Sequence, residues 1–344
     1  MSHLQIGLAL AGGLVLAAVM FFNAWTSRRN APRQATPEEP PGVLEQVEPT
    51  FSDTELQERE MALPTPVKKP ALDALIDVIA SLALDPATPL VSGDAAIAAL
   101  PATRRAGTKP IAVEGFNTAA QQWESPAPGQ RYSGFQVGVQ LASRTGALNE
   151  IEYSEFVVKT QAFADAIGAT PDFPEMRDEV ARARELDQFA GAHDAQLGFN
   201  IHARNASWSP GFVHQSAARV GFVAGAVAGR MVLPSVQEGL PPVLVLAFDS
   251  QAALAEDPAQ SAIRELSLHL DVAQAERAEQ PVERMRDAAF ALAHSMDGVV
   301  TDDQGQALAL ETMEVIGAEL QTLYNTLEQR DLAAGSAVAR RLFS

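Results

Sequence analysis

Phe135-Gln136-Val137-Gly138-Val139-Gln140-Leu141 puts an apolar side chain at every second position, with glutamine or glycine between. Successive side chains of a strand point to opposite faces, so this run reads as a strand that buries one face only. A second run, Leu266-Ser267-Leu268-His269-Leu270-Asp271-Val272, repeats the alternation and leaves His269 on its polar side. One-sided burial is the signature of antiparallel sheets covered by helices on a single face, and it sets the fold class as α+β.

Around each run the same order of signals recurs. Before the first come strand-like residues 75–80 and a short helix over 93–100, opened by Ser92 and stopped by Pro101; extended segments follow at 110–115 and 121–124. After it comes a helix over 150–167, with Ile151, Phe156, Val157, Phe163 and Ile167 at mixed three- and four-residue steps, then a Glu- and Arg-rich helix over 173–190. The second run is framed by a strand at 196–203, a helix at 211–220 and strands at 230–233 and 243–248. Behind it are a helix over 281–296 with proline in its first turn, a strand at 298–302 and a last helix over 310–330. Setting Phe135 over Leu266 also brings Gly168 close to Gly298, which makes an internal duplication the economical reading. In the first copy Pro171 and Pro174 fall where the last strand belongs; proline cannot donate to a ladder, so a loop or an edge is expected there. The expected organisation is two tandem sheet-and-helix modules, residues 71–192 (the degenerate copy) and 193–331, with 332–344 as a tail.

The N-terminus is of another kind. Residues 6–22, opening at Ile6 and closing at Phe22, carry no charge, and with residues 23–25 they reach the roughly 20 needed to cross a bilayer as a helix. Trp25 falls at the expected interface, and Arg28 and Arg29 follow it, whereas the preceding flank offers only His3. The positive-inside rule then expects a single-pass anchor over residues 1–26, with the N-terminus outside and the body in the cytoplasm. A cleaved signal peptide has its positive charges before the apolar run, not after it. Gly13 and Ala17 form a small-xxx-small pair of the kind that brings membrane helices together, which offers self-association as a partner mode. Residues 27–70, rich in proline and acidic residues and without helical or strand period, read as an extended spacer.

Composition narrows function by exclusion. A net charge of −18 disfavours nucleic acid, whose phosphates need clustered Lys and Arg. With no cysteine there is no disulfide framework and no thiolate metal site, which fits a reducing compartment. The six histidines show no zinc-binding spacing, and neither a P-loop nor a Gly-x-Ser-x-Gly elbow occurs. GAVAG at residues 225–229 reads as a turn, and Asp302 and Asp303, adjacent at a strand end, point to opposite faces and read as solvated. No cofactor and no catalytic residue is expected, so the chain reads as a non-enzymatic binding protein.

Three stretches carry a resemblance: MSHLQIGLALAGG at 1–13, GFVAG at 221–225 and MDGVVTDDQG at 296–305. Together with the acidic proline-containing tether, they resemble the bacterial cell-division protein family ZipA, over the anchor and residues 194–330. The tether is shorter than the family's, and residues 71–192 have no counterpart in its best-known members. The resemblance implies an antiparallel sheet backed by helices, whose open face holds a shallow apolar groove for the C-terminal tail of the tubulin-like division protein FtsZ. It implies a tether that anchors FtsZ polymers to the inner membrane at the division site. Aligned on those motifs, the open face falls on Gln196, Gly198 and Asn200, on Val227, on Leu246 and Phe248, and on Ser267 and His269. Val227, Leu246 and Phe248 are the expected apolar anchors, with Gly198 and His269 beside them. In the first copy, Leu75 and Ile79 offer a second groove or a contact between the halves. The competing reading is a structural scaffold for another envelope or division protein.

Overall fold

The computed structural model describes residues 32–35, 72–257 and 261–344. The membrane-anchor residues Ile6, Phe22, Trp25, Arg28 and Arg29 lie outside the described residues, as does most of the 27–70 segment. Among the described residues, no helix is long and apolar enough to cross a membrane. The chain divides into two compact α+β units, one holding Gln196–Gln321 with residues 32–35, the other residues 72–195 with Thr322–Ser344.

In the first module, strand β1 (Asp77–Leu84) leads to helix α1 (Gly93–Ala99), whose N-cap Ser92 accepts from the Ala95 N–H. Strands β2 (Lys109–Asn117) and β3 (Arg131–Gln140) follow, then α2 (Glu150–Ile167), β4 (Ala169–Asp172) and α3 (Met176–His193). The strands are antiparallel in the order β2–β3–β1–β4. Val78, Ala80 and Leu82 stand opposite Val139, Val137 and Phe135, and all six are buried. Helix α2 covers this face with Phe156 and Phe163, the latter edge-on to Phe135 at 5.7 Å between ring centroids. Each such side chain contributes about 1.5–3 kcal/mol by leaving water. Pro171 lies opposite Leu82 on the outermost strand, where its missing N–H interrupts nothing.

The reverse face of this sheet is covered in part. Leu72 presses on Gly138, and its N–H donates to the Glu114 carboxylate. Asp77, paired with Gln140 across the strands, receives both guanidinium nitrogens of Arg341 at 2.8 and 2.5 Å, while the Gln140 amide donates to the Arg341 carbonyl. Ser81 and Ala83 on this face stay exposed, and a cavity of about 530 Å³ opens at the β2 side, lined by Ile97, Leu100, Arg104 and Glu114.

Two expectations change here. Leu75 precedes β1 in a turn and is 37% exposed, so it belongs to no sheet face, while Ile79 stands opposite Gly138 on the covered side. Residues 332–344 are not a tail: Ser336 caps a short helix, Ala337–Leu342, in which Leu342, with the adjacent Phe343, is fully buried in the first module's unit.

The second module runs β5 (Gln196–Ala203), α4 (Pro210–Arg219), β6 (Val223–Ala224), β7 (Arg230–Leu233), β8 (Leu244–Ala247) and β9 (Glu265–Asp271). Then come α5 (Pro281–Met296), β10 (Gly298–Thr301) and α6 (Leu310–Glu328), whose residues from Thr322 onward belong to the first module's unit. Its antiparallel sheet has the order β6–β7–β8–β9–β5–β10. The stretch β8–β9–β5–β10 corresponds strand for strand to β2–β3–β1–β4, with α5 taking the place of α2 between the long strand and the edge strand. Phe199, Ile201, Leu246, Leu266, Leu268 and Leu270 bury one face, and Met285, Ala289 and Leu292 of α5 are buried in the same core.

Candidate sheet-face docking site

The register across the second sheet fixes which side chains share its uncovered face. Val223 stands opposite Val232, Val232 opposite Val245, Val245 opposite His269, and His269 opposite Gly198. These five form one cross-strand row. Val223 is 50% exposed, His269 is exposed, and Val232, Val245 and Gly198 are half-buried. The next row on the same face is Arg230, Ala247, Ser267 and Asn200. The face is therefore apolar toward β6 and polar toward β5.

Shallow relief accompanies these rows. A groove of about 440 Å³ runs along Gly198, Val243, Val245, His269, Asp271 and Asp303, and another of about 440 Å³ lies by Ala247, Phe248, Arg264 and Ser267. Gly198 deepens the first. A side chain there would stand 3.5 Å from the Asp303 carboxylate and 3.7 Å from His269 Nδ1, so its absence keeps a floor between an acid and an imidazole. Asp302, next to it, accepts from the backbone N–H groups of Gln304 and Gln306 and shapes the turn that delivers Asp303.

Of the expected site residues, Gly198 and His269 lie side by side on the uncovered face. Leu246 does not: it is fully buried, opposite Met231 and Leu268 on the core side. Phe248 is 9% exposed and meets the His214 ring edge-on at 5.7 Å, so it supports the core with only its rim near the second groove. Val227 is 57% exposed but sits in the turn between β6 and β7, where its carbonyl accepts from the Arg230 N–H, and it faces no sheet. For Leu246 and Phe248 the physical reason is that Val243-Leu244-Val245-Leu246-Ala247-Phe248 is apolar throughout and has no alternation to read; only the pairing of Val245 with His269 shows that Val245 and Ala247 face outward. The apolar residues missed were Val223, Val232 and Val245, and the signal that finds them is cross-strand register.

An antiparallel sheet backed by helices on one face and open on the other, with a valine strip ending at a histidine and an acid, defines a class of protein. It is an α+β chain of two compact units, each built on antiparallel strands. Compared with family models and with curated proteins, the chain finds no match.

Proposed function

We propose that this chain is a ZipA-like membrane tether, anchored through residues 1–26 in a bacterial inner membrane with its body in the cytoplasm, and that its second module docks the C-terminal tail of FtsZ. The observation that carries the docking reading is the half-exposed row Val223, Val232 and Val245 on a sheet face that, among the described residues, no helix covers. Peptide recognition on such a face takes its affinity from a few apolar anchors, with polar groups at the rim fixing direction. His269, Asp303 and Asn200 supply that rim. Further support is the contrast with the first module, where one end of the corresponding face, at Gly138 and Asp77, is occupied by Leu72 and Arg341 of the chain itself. The resemblance of residues 1–13, 221–225 and 296–305 to the ZipA family supports FtsZ as the partner. The test is titration of the purified full chain, in detergent or nanodiscs, with the FtsZ C-terminal peptide of the same cell. Saturable binding that Val245→Asp removes supports the reading; a peptide that fails to bind removes FtsZ as the partner.

A further inference from the structure

Residues 32–35, read from sequence as part of a free spacer, are paired with the second module. The Arg33 N–H donates to the Ser207 carbonyl at 2.7 Å and the Ser209 N–H donates to the Arg33 carbonyl at 2.9 Å, which makes a parallel bridge to Trp208. Trp208 is itself bridged to Ile263 through two 2.8 Å hydrogen bonds and is fully buried, so Arg33 adds a third strand to a fixed pair. The Arg33 guanidinium reaches the end of α5, donating to the Asp297 carboxylate at 2.9 Å and to the Met296 carbonyl at 3.3 Å. The carbonyls at a helix C-terminus carry partial negative charge, so a cation is favoured there. The same two acceptors are organised by the module: Asn205 donates to the Asp297 carboxylate and the Trp208 indole N–H to the Met296 carbonyl. Pro32 is buried, and Gly211 leaves room for Ala35, whose Cβ lies 3.7 Å from where a Cβ at 211 would be.

We infer that the second module contains an intramolecular peptide-binding site, a strand edge at residues 207–209 plus an arginine receptor at the end of α5, whose ligand is the chain's own segment 32–35. The consequence, which rests on the membrane-anchor reading above, concerns reach. Trp25 and Arg33 are eight residues apart, a span of at most about 29 Å when fully extended, whereas the stretch from Trp25 to Leu72 has an upper limit of about 160 Å. The clip therefore holds the docking module next to the bilayer, and residues 36–71 link the clip to the first module.

The chain has no cysteine, so an engineered pair is unambiguous. In the full-length A35C/G211C protein in membranes, mild oxidation is expected to give a single intramolecular disulfide, because the Cβ separation matches that of natural disulfides. Ala35→Cys combined with Val236→Cys, on a residue 84% exposed, sets the background. Arg33→Glu added to the first pair is expected to slow crosslinking at least fivefold. A yield no higher than the Val236→Cys background, or one that Arg33→Glu leaves unchanged, overturns the site. Energy transfer to a lipid-borne acceptor, from a dye attached through the single substitution Val236→Cys, reads the distance. Efficient transfer in the otherwise native chain that falls in Arg33→Glu supports the short reach, and equal transfer in both overturns it. Recovery of the full-length chain from the soluble fraction overturns the anchor and the bilayer distance, while the crosslink still decides the pairing.

Discussion

Val245 and Leu246 are neighbours in sequence and nearly alike in chemistry, yet one faces solvent and the other is sealed in the core. Substitution separates their roles. Val245→Asp places a charge on the open face, where water still solvates it, so the protein is expected to keep its urea midpoint and lose peptide affinity at least tenfold. Phe248→Ala instead empties a site packed on His214 and is expected to cost about 3–5 kcal/mol in urea unfolding, the usual range for a core phenylalanine. Asp77 belongs with the second kind: its carboxylate is buried and held at both oxygens by Arg341. Removing one partner of a buried pair strands the other charge, so Asp77→Asn is expected to destabilise by about 3–5 kcal/mol by the same measurement. Lys109 gives a pH test. Its ammonium is buried against the Ser143 and Thr145 hydroxyls, each at 3.2 Å, and the Gly146 carbonyl. Burial pulls its pKa below the ordinary 10.5, opposed in part by the Glu152 carboxylate. The folded state thus releases this proton before the unfolded chain does, and between the lowered value and 10.5 the unfolded chain binds more protons. Stability is therefore expected to gain with rising pH across that window relative to Lys109→Met, and urea midpoints measured along the alkaline range check it.

At the scale of elements, helices with clear ends were legible and boundaries beside proline were not. Helix α2 runs over the residues its apolar steps suggest because both ends are marked: Asn149 accepts from the Ile151 and Glu152 N–H groups, Glu152 answers with a capping box, and Gly168 closes it in the left-handed region. Asn149→Ala is expected to cost about 1 kcal/mol in urea unfolding, the usual loss for a missing cap. The next helix begins at Met176 rather than at Phe173, because residues 169–172 are drawn into the sheet as its edge and the Pro174 carbonyl is taken by the Tyr153 hydroxyl. Strand β1 likewise starts after the turn that holds Leu75, since the Asp73 carbonyl accepts from the Ile76 and Asp77 N–H groups and closes that turn first. The alternation at 135–141 and 266–272 gave strand existence, polarity of face and the outward His269. It did not give the facing of β8, which lacks a period of its own and takes its parity from its partner.

For the whole molecule, the sequence shows two sheet-and-helix modules in tandem, but the return of residues 322–344 to the first of them rests on long-range contacts such as Arg341 with Asp77. No local pattern announces a contact between residues so far apart. The same holds for Arg33, whose pairing with Trp208 and Asp297 turns part of a presumed spacer into a structural element. In the proposed function one sheet face, on the second module alone, receives a single peptide. Calorimetric titration of the full-length chain with the FtsZ C-terminal peptide measures this directly. The expected result is one peptide per chain, with affinity lost in both Val232→Asp and Val245→Asp; two peptides per chain, or binding that survives both substitutions, contradicts it.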